Sequence, residues 1–311
     1  MNLQKNVPLK NYSNYKIGGQ AQFFVEVGSV DELKEVQLFV KQNQDLQFFI
    51  LSGGTNVLIN DEGFDGLIIL NRIKGIEREG NNLRIGSGTL MRDVLEYCLE
   101  NSLSGLEWAG GLPGTIAGAV RGNAGAFKGE TKNSVLGVES LDIQTANEKI
   151  RSNPECQIDY RDSIFKSGDG VYEFITYVIL KLTPGDKDEI RRMIVQKIDY
   201  RNNRHPMNFP SIGSTFKNIP LNSLSMELQK EFAAFVKTDP FPVVPTTKLL
   251  ALCGLKGKRM GGAMISEKHP NFIVNVDDAK AADVKLLIEI AKQAVREKYN
   301  IILEEEIVYL N

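Results

Sequence analysis

The sequence predicts a mixed fold, α+β or α/β, in two domains or more, and three observations predict it. The chain has 311 residues, too many for one average globular core. Its first stretch alternates strand-like and helix-like patterns in the order β-α-β-turn-β. Two glycine-rich turns interrupt the apolar runs, the first directly after a strand pattern. Composition permits a sizeable core: 42% of residues are hydrophobic and 24% charged, which argues against a disordered chain.

The elements follow in order. Ala21–Val27 reads as a strand. Ser29-Val-Asp-Glu32 is a capping box that opens a helix reaching about Lys41. Phe48–Ser52 and Leu67–Leu70 are apolar runs of strand length, separated by Gly53-Gly54-Thr55-Asn56. Leu83–Ile85 and a helix over Met91–Asn101 come next, then a glycine-rich region from Gly105 to Gly129. Val135–Ile143 and Phe174–Leu182 read as strands. Asp186-Lys-Asp-Glu189 caps a helix whose apolar face is Ile190, Met193, Ile194 and Ile198. Arg201–Pro206, basic and bounded by proline, marks a domain boundary. Beyond it, Val284, Leu287, Ile288, Ala291 and Val295 form the buried stripe of a long helix. Ile301–Leu310 reads as a final strand. No internal repeat is evident.

Several classes are disfavoured. The net charge is −2 with lysine and arginine spread along the chain, so no basic face points to nucleic acid. An anion site must then be local, built from a few cations and backbone amides. Cys98, Cys156 and Cys253 form no CxxC pair, which speaks against zinc or a disulfide framework and for three small buried hydrophobes. No apolar stretch is long enough for a membrane span. Met1–Asn11 lacks an apolar signal region, so the expected location is the cytoplasm.

Chemistry concentrates in five motifs. Gly53-Gly54-Thr55-Asn56 follows a strand, where glycines let amides approach a phosphate and Thr and Asn add donors; a tight turn is the bland alternative. Gly110-Gly111-Leu112-Pro113-Gly114-Thr115, then Gly118 and Asn123-Ala124-Gly125, forms a second cradle, with Pro113 in the first turn of a short helix. Neither is a Rossmann fingerprint or a P-loop, yet two cradles suit the two phosphates of a dinucleotide. In Tyr160-Arg161-Asp162-Ser163 the guanidinium can clamp a carboxylate. Ser214 follows Gly213 and can donate a proton, or simply cap a turn. A serine hydrolase has little support, since Ser214 sits in no GxSxG elbow and the chain has two histidines. Glu304-Glu305-Glu306 lies in the final apolar run, and strand alternation puts Glu304 and Glu306 on one face beside Ile302, Val308 and Leu310. Such surroundings would raise a carboxyl pKa toward that of a general acid, unless the run is a solvated edge. His269 has no partner histidine nearby in sequence, so metal ligation is not expected. Trp108 reads as a packing residue.

Taken in order, these motifs resemble one family, the UDP-N-acetylenolpyruvoylglucosamine reductases, also called UDP-N-acetylmuramate dehydrogenases. The resemblance runs from Leu9 to the C-terminus. It includes Tyr15-Lys-Ile-Gly-Gly19, Gly53-Gly-Thr-Asn56, Leu112-Pro-Gly-Thr115, Asn123-Ala-Gly-Ala126, Tyr160-Arg-Asp-Ser163, Gly213-Ser-Thr-Phe-Lys-Asn218, Ser266-Glu-Lys-His269 and Leu303-Glu-Glu-Glu-Ile307. It implies an α+β, three-domain flavoprotein. Residues 1–72 and 73–200 would form an FAD-binding module of the PCMH or vanillyl-alcohol-oxidase type. Residues 201–311 would form a smaller α+β substrate domain whose final strand returns toward the flavin.

The resemblance further implies that NADPH reduces FAD and that UDP-N-acetylglucosamine enolpyruvate then accepts hydride, in peptidoglycan precursor synthesis. By motif, Gly53, Gly54, Thr55, Asn56, Val57 and Leu58 would hold FAD, together with Gly110, Gly111, Pro113, Gly114, Thr115, Gly118, Asn123, Ala124 and Gly125. Arg161 and Glu306 would stabilise the enol-like charge and Ser214 would deliver the proton. Tyr160, Arg204, Lys217 and Asn218 would bind substrate. No metal is implied, and the protein would be a monomer or weak homodimer. The family commonly has glycine where Ala117 stands and an aromatic followed by methionine where Arg121-Gly122 stands; Arg121 thus offers an extra phosphate contact. Ile219–Thr247 is longer than usual. No insertion between Ser163 and Tyr200 supplies a tyrosine-bearing substrate loop, so the chain resembles the shorter subtype. Two other readings are a flavoenzyme oxidising a different substrate and a catalytically silent sugar-nucleotide binder.

Overall fold

A computed structural model describes all 311 residues. The chain folds as two compact units, both discontinuous in sequence. The first comprises Met1–Val7, Ala21–Gly53 and Asp65–Asp199; the second comprises Pro8–Gln20, Gly54–Phe64 and Tyr200–Asn311. Helices and strands mix in each, as the patterning predicts.

The first unit holds two sheets. In one, the strands run in the order Gln4–Pro8, Gln20–Val27, Phe64–Asn71, Phe48–Leu51, and the last two are parallel with Phe48 opposite Leu67. Helix Val30–Gln42 packs Leu33, Val36 and Val40 against Val25, Val27, Leu67 and Ile69. Ser29 caps that helix by accepting from the Glu32 amide, whereas the Glu32 carboxylate reaches the Gly28 amide and not that of Ser29. The expected capping box is therefore half formed, with the second donor one residue earlier.

The other sheet is fully antiparallel, in the order Glu148–Ser152, Val135–Asp142, Glu173–Lys181, Asn82–Gly86, Ile76–Glu79. Its core gathers Leu83, Ile85, Val94, Val138, Val178 and Leu180 with helix Met91–Glu100. Trp108 packs here, pressed against Gly129 so closely that a Cβ there would meet its ring at 2.3 Å. Buried Cys98 and Cys156 behave as small hydrophobes, with burial pushing their thiols up to about 12 and about 11. Cys253 departs from the expectation: it is only half-buried, beside helix Ala281–Tyr299, donating weakly to the Ala294 carbonyl.

The second unit is built on helix Ala281–Tyr299. Val284, Leu287, Ile288, Ala291 and Val295 are all buried, as the spacing predicts. Its first amides, those of Ala281 and Ala282, donate to the Asp61 carboxylate at 2.7 and 3.1 Å, a cap from far away in sequence. Tyr15 is woven into the same core, its hydroxyl donating to the Ile273 carbonyl at 2.8 Å while the Asn275 amide donates to its own carbonyl. Gly54 belongs here because nothing larger fits: a Cβ would meet the Tyr12 carbonyl oxygen at 1.9 Å, and its φ of +61° suits glycine.

The expected final strand is shorter than the apolar run. Only Val308–Leu310 is a strand, parallel to Val57–Ile59. Upstream, pairing shrinks to one bridge, Phe216 with Glu305. Ile301, Leu303 and Ile307 are buried while Ile302 and Glu304 face solvent, so the odd-numbered side of the run is its apolar side.

In the first unit, Glu173 is fully buried and accepts from Ser140, Lys149 and Arg151 at 2.6 to 2.7 Å. Burial pushes this carboxyl up, but the three donors outweigh it and hold it down at about 2. A depressed carboxyl stabilises the fold fully above the ordinary glutamate range and loses that contribution as pH falls toward 2. We predict that Glu173→Gln lowers unfolding stability at pH 7 by roughly 3 kcal/mol, since two cations lose their partner. Urea titrations at pH 7, 4 and 2.5 should show the difference shrinking with acidity.

Candidate active site

In the first unit the two glycine motifs meet. A Cβ on Gly53 would lie 2.7 Å from the Gly114 Cα, so the backbones touch and a side chain is excluded. Ser52 and Thr115, the residues beside them, join hydroxyls at 2.5 Å. Thr115 also caps the short helix Ile116–Arg121, accepting from the Gly118 amide at 3.3 Å. Gly111 and Gly114 take φ of +74° and +96°, left-handed backbone that favours glycine. The amides of Gly53, Gly111, Gly114 and Thr115 donate to no acceptor in the protein, as a phosphate cradle requires. Pro113 does not enter the first helical turn, because the helix begins at Ile116 after the Thr115 cap; Pro113 shapes the exposed loop before it.

Gly110 is a packing glycine: a Cβ would meet the Ile194 carbonyl at 2.6 Å. Beyond the helix, Asn123 is buried at φ +39°. Its amide nitrogen donates to Glu130 and to the Asp159 carbonyl, both at 2.9 Å, and its oxygen accepts from the Lys132 amide. Arg161, at φ +56°, points its guanidinium at this loop, donating to the carbonyls of Asn123 at 3.1 Å and Gly125 at 2.9 Å. Lys166 holds the Arg161 carbonyl at 2.9 Å, and Tyr160 lies half-buried with the guanidinium 5.4 Å from its ring centre. Ala124 belongs to the same loop, its carbonyl accepting from Thr131.

Between strand Phe48–Leu51 and helix Ile116–Arg121 lies a cavity of about 230 Å³. Phe48, Ile50, Phe165, Tyr172 and Ile175 supply apolar walls; Ser52, Asn71, Gly118 and Arg121 supply polar atoms. Reasoning from sequence missed Asn71, Phe165 and Tyr172. No motif marks them: the pairing of Phe48–Leu51 beside Leu67–Leu70 brings in Asn71, while Phe165 and Tyr172 come from the short helix Ile164–Ser167 and the segment that leads into strand Glu173–Lys181.

In the second unit the structure brings Ser214, Lys217 and Glu306 together on neighbouring segments. The Glu306 amide donates to the Thr215 carbonyl at 2.8 Å, and the Lys217 amide to the Glu304 carbonyl at 2.9 Å. Asn56 donates to the Glu306 carbonyl at 3.0 Å, and Val57 and Leu58 pair with Val308 and Tyr309. Gly213 takes φ +88°, and the half-buried Ser214 follows it. The amides of Gly54, Thr55 and Asn56 also donate to nothing in the protein. The three glutamates separate: Glu304 reaches the Lys217 ammonium at 3.0 Å on the solvent side, while Glu305 accepts from Tyr309 and Lys292. The like-charge crowding in apolar surroundings expected for Glu304 and Glu306 is not formed, because Glu304 turns to a cation in solvent. Asn218 caps the amide of Thr246, and Arg204 is exposed at the end of helix Lys187–Arg204. His205 and His269 meet edge to face with ring centres 5.2 Å apart; burial pushes both down to about 4, and no cluster of metal-ligating groups includes them.

Paired glycine turns with free amides beside an aromatic-walled cavity define a flavin-nucleotide-binding class of protein, and residues 21–152 match the family model of an FAD-binding domain. Residues 205–310 match the C-terminal domain of UDP-N-acetylenolpyruvoylglucosamine reductase. The chain belongs to the UDP-N-acetylenolpyruvoylglucosamine reductase family. It is 35% identical to the reductase of Clostridium novyi, over 98% of this chain and 91% of that one. It is 34% identical to that of Geobacillus thermodenitrificans, over 99% and 93%. The crystal structure of the Thermus caldophilus reductase superposes with a TM-score of 0.78 at 29% identity, covering all of both chains.

Asn123 ties the loop that receives Arg161 to three other backbone and side-chain groups. We predict that Asn123→Ala lowers stability by about 2 kcal/mol, because buried partners lose their bonds, and also weakens flavin retention. Thermal unfolding and the flavin-to-protein absorbance ratio check both.

Proposed function

We propose that this protein reduces UDP-N-acetylenolpyruvoylglucosamine to UDP-N-acetylmuramate for peptidoglycan synthesis, with NADPH as electron source and FAD as carrier. Family membership across nearly the whole chain supports the reaction. The observation carrying the cofactor is the contact of Gly53 with Gly114, where a Cβ would fill the cradle. No helix is long and apolar enough to cross a membrane. The location we propose is the cytoplasm, and the assembly a monomer or weak homodimer. We assign residues 1–72 and 73–200 to flavin binding and 201–311 to the substrate.

Bound flavin supplies a hydride to the methylene carbon of the enolpyruvyl group. That addition builds negative charge toward the neighbouring carboxylate, and the protein's part is to stabilise it and to provide a proton. Arg161 pairs with the carboxylate; its guanidinium is pre-aimed by the Asn123 and Gly125 carbonyls. Glu306 acts with Arg161, its backbone pinned between Thr215 and Asn56. Ser214, freed from regular structure by Gly213, gives its hydroxyl proton to the carbon bearing the carboxylate. Tyr160, Arg204, Lys217 and Asn218 hold the rest of the sugar nucleotide, with Lys217 exchanging Glu304 for the diphosphate. Gly53, Gly54, Thr55, Asn56, Val57 and Leu58 hold FAD with the loop from Gly110 to Gly125.

The test separates the half-reactions. Purified protein should show flavin absorbance that NADPH bleaches and the enolpyruvyl substrate restores without oxygen. Ser214→Ala should bleach at the wild-type rate and recover about 100-fold more slowly or worse. Fast recovery in that variant removes Ser214 as the proton donor.

A further inference from the structure

We propose that Arg121 is a phosphate ligand, its guanidinium gripping the adenylate phosphate of FAD while the adenosine occupies the aromatic-walled cavity of the first unit. This deepens the flavoenzyme reading and rests on it. Arg121 lines the cavity from the end of helix Ile116–Arg121, one turn beyond Gly118. That helix starts at Thr115, whose hydroxyl meets Ser52, the residue beside Gly53. Cavity and cradle are therefore continuous through Ser52, Thr115 and Gly118.

The guanidinium has no hydrogen-bond acceptor and no carboxylate within ion-pairing distance in the protein. Other charged groups near it are occupied. Asp162, the acid it feels, is turned to the Ser163 amide and the Ser167 hydroxyl. Glu173, which also lines the cavity, is saturated by Ser140, Lys149 and Arg151. Burial disfavours the charged form of Arg121. An arginine kept in such a place without a partner is best explained by an anion that arrives with a ligand.

The walls specify the rest of that ligand. Phe48 and Tyr172 lie with ring centres 5.8 Å apart, and Phe165 and Ile175 join them. Such surfaces suit a planar base. The volume of about 230 Å³ is below the usual range for a whole drug-sized ligand, so the cavity takes one end of a dinucleotide.

Full-length protein stripped of flavin should be titrated calorimetrically with FAD, ADP and adenosine, comparing wild type, Arg121→Met and Arg121→Lys. The methionine variant should bind FAD and ADP about tenfold to 100-fold more weakly and adenosine within twofold of wild type. Lysine should restore part of the ADP affinity. Equal ADP affinity in wild type and the methionine variant overturns the assignment, and so does an equal loss for adenosine, which would mark a packing role. If the methionine variant does not fold, the salt response of the wild type decides: ADP affinity should fall with ionic strength and adenosine affinity should not. A parallel salt response for both ligands overturns the assignment. Failure of the wild type to take up FAD at all refutes the flavoenzyme reading itself.

Discussion

The architecture of the first unit depends on one contact that only glycine permits, the touch between the turns at Gly53 and Gly114. Each turn alone is ordinary. Brought to van der Waals contact, they leave amides without acceptors in the protein and set the Ser52 and Thr115 hydroxyls against each other. Thr115 in turn fixes where helix Ile116–Arg121 begins, and so where Gly118 and Arg121 face the cavity. A single side-chain carbon at Gly53 would separate these groups, and repulsion at that range cannot be relieved by a rotamer because both partners are backbone.

A second feature is strain held at a polar residue. Arg161 takes a left-handed backbone conformation, which a side chain with a Cβ adopts at a cost of roughly 1–2 kcal/mol. Lys166 on its carbonyl and the Asn123 and Gly125 carbonyls on its guanidinium supply the compensation. Asn123 is itself left-handed and held by Glu130, Asp159 and Lys132. Such over-determined positions suit the carboxylate-binding role proposed for this guanidinium.

Much of this was legible in the sequence, for identifiable reasons. Periodicity located the buried stripe from Val284 to Val295 and the strands around Ala21, Phe48, Val135 and Phe174. Asp186 caps its helix at the Glu189 amide, as the local motif says it should. The glycine motifs marked the two turns whose backbones meet at Gly53 and Gly114. What local rules could not reach depends on residues far apart in the chain. Asp61 caps a helix more than two hundred positions away, and Pro8–Gln20 and Gly54–Phe64 join the C-terminal unit. The run from Ile301 to Ile307 keeps an alternating apolar pattern but finds a partner only at Phe216, so it is not a full strand. The walls of the cavity carry no motif at all; Arg121 stands out in the sequence only as a departure from the family pattern, and the structure adds that this half-buried cation lines the cavity without a carboxylate partner.

The measurement that tests the central claim most directly is the flavin content of Gly53→Ala, purified beside wild type and released by denaturation for quantitation. The account predicts a folded protein with little or no FAD, its affinity reduced about tenfold or more by the displaced loop. Wild-type stoichiometry and affinity in that variant would contradict it, because the close approach of the two turns would then be incidental to cofactor binding.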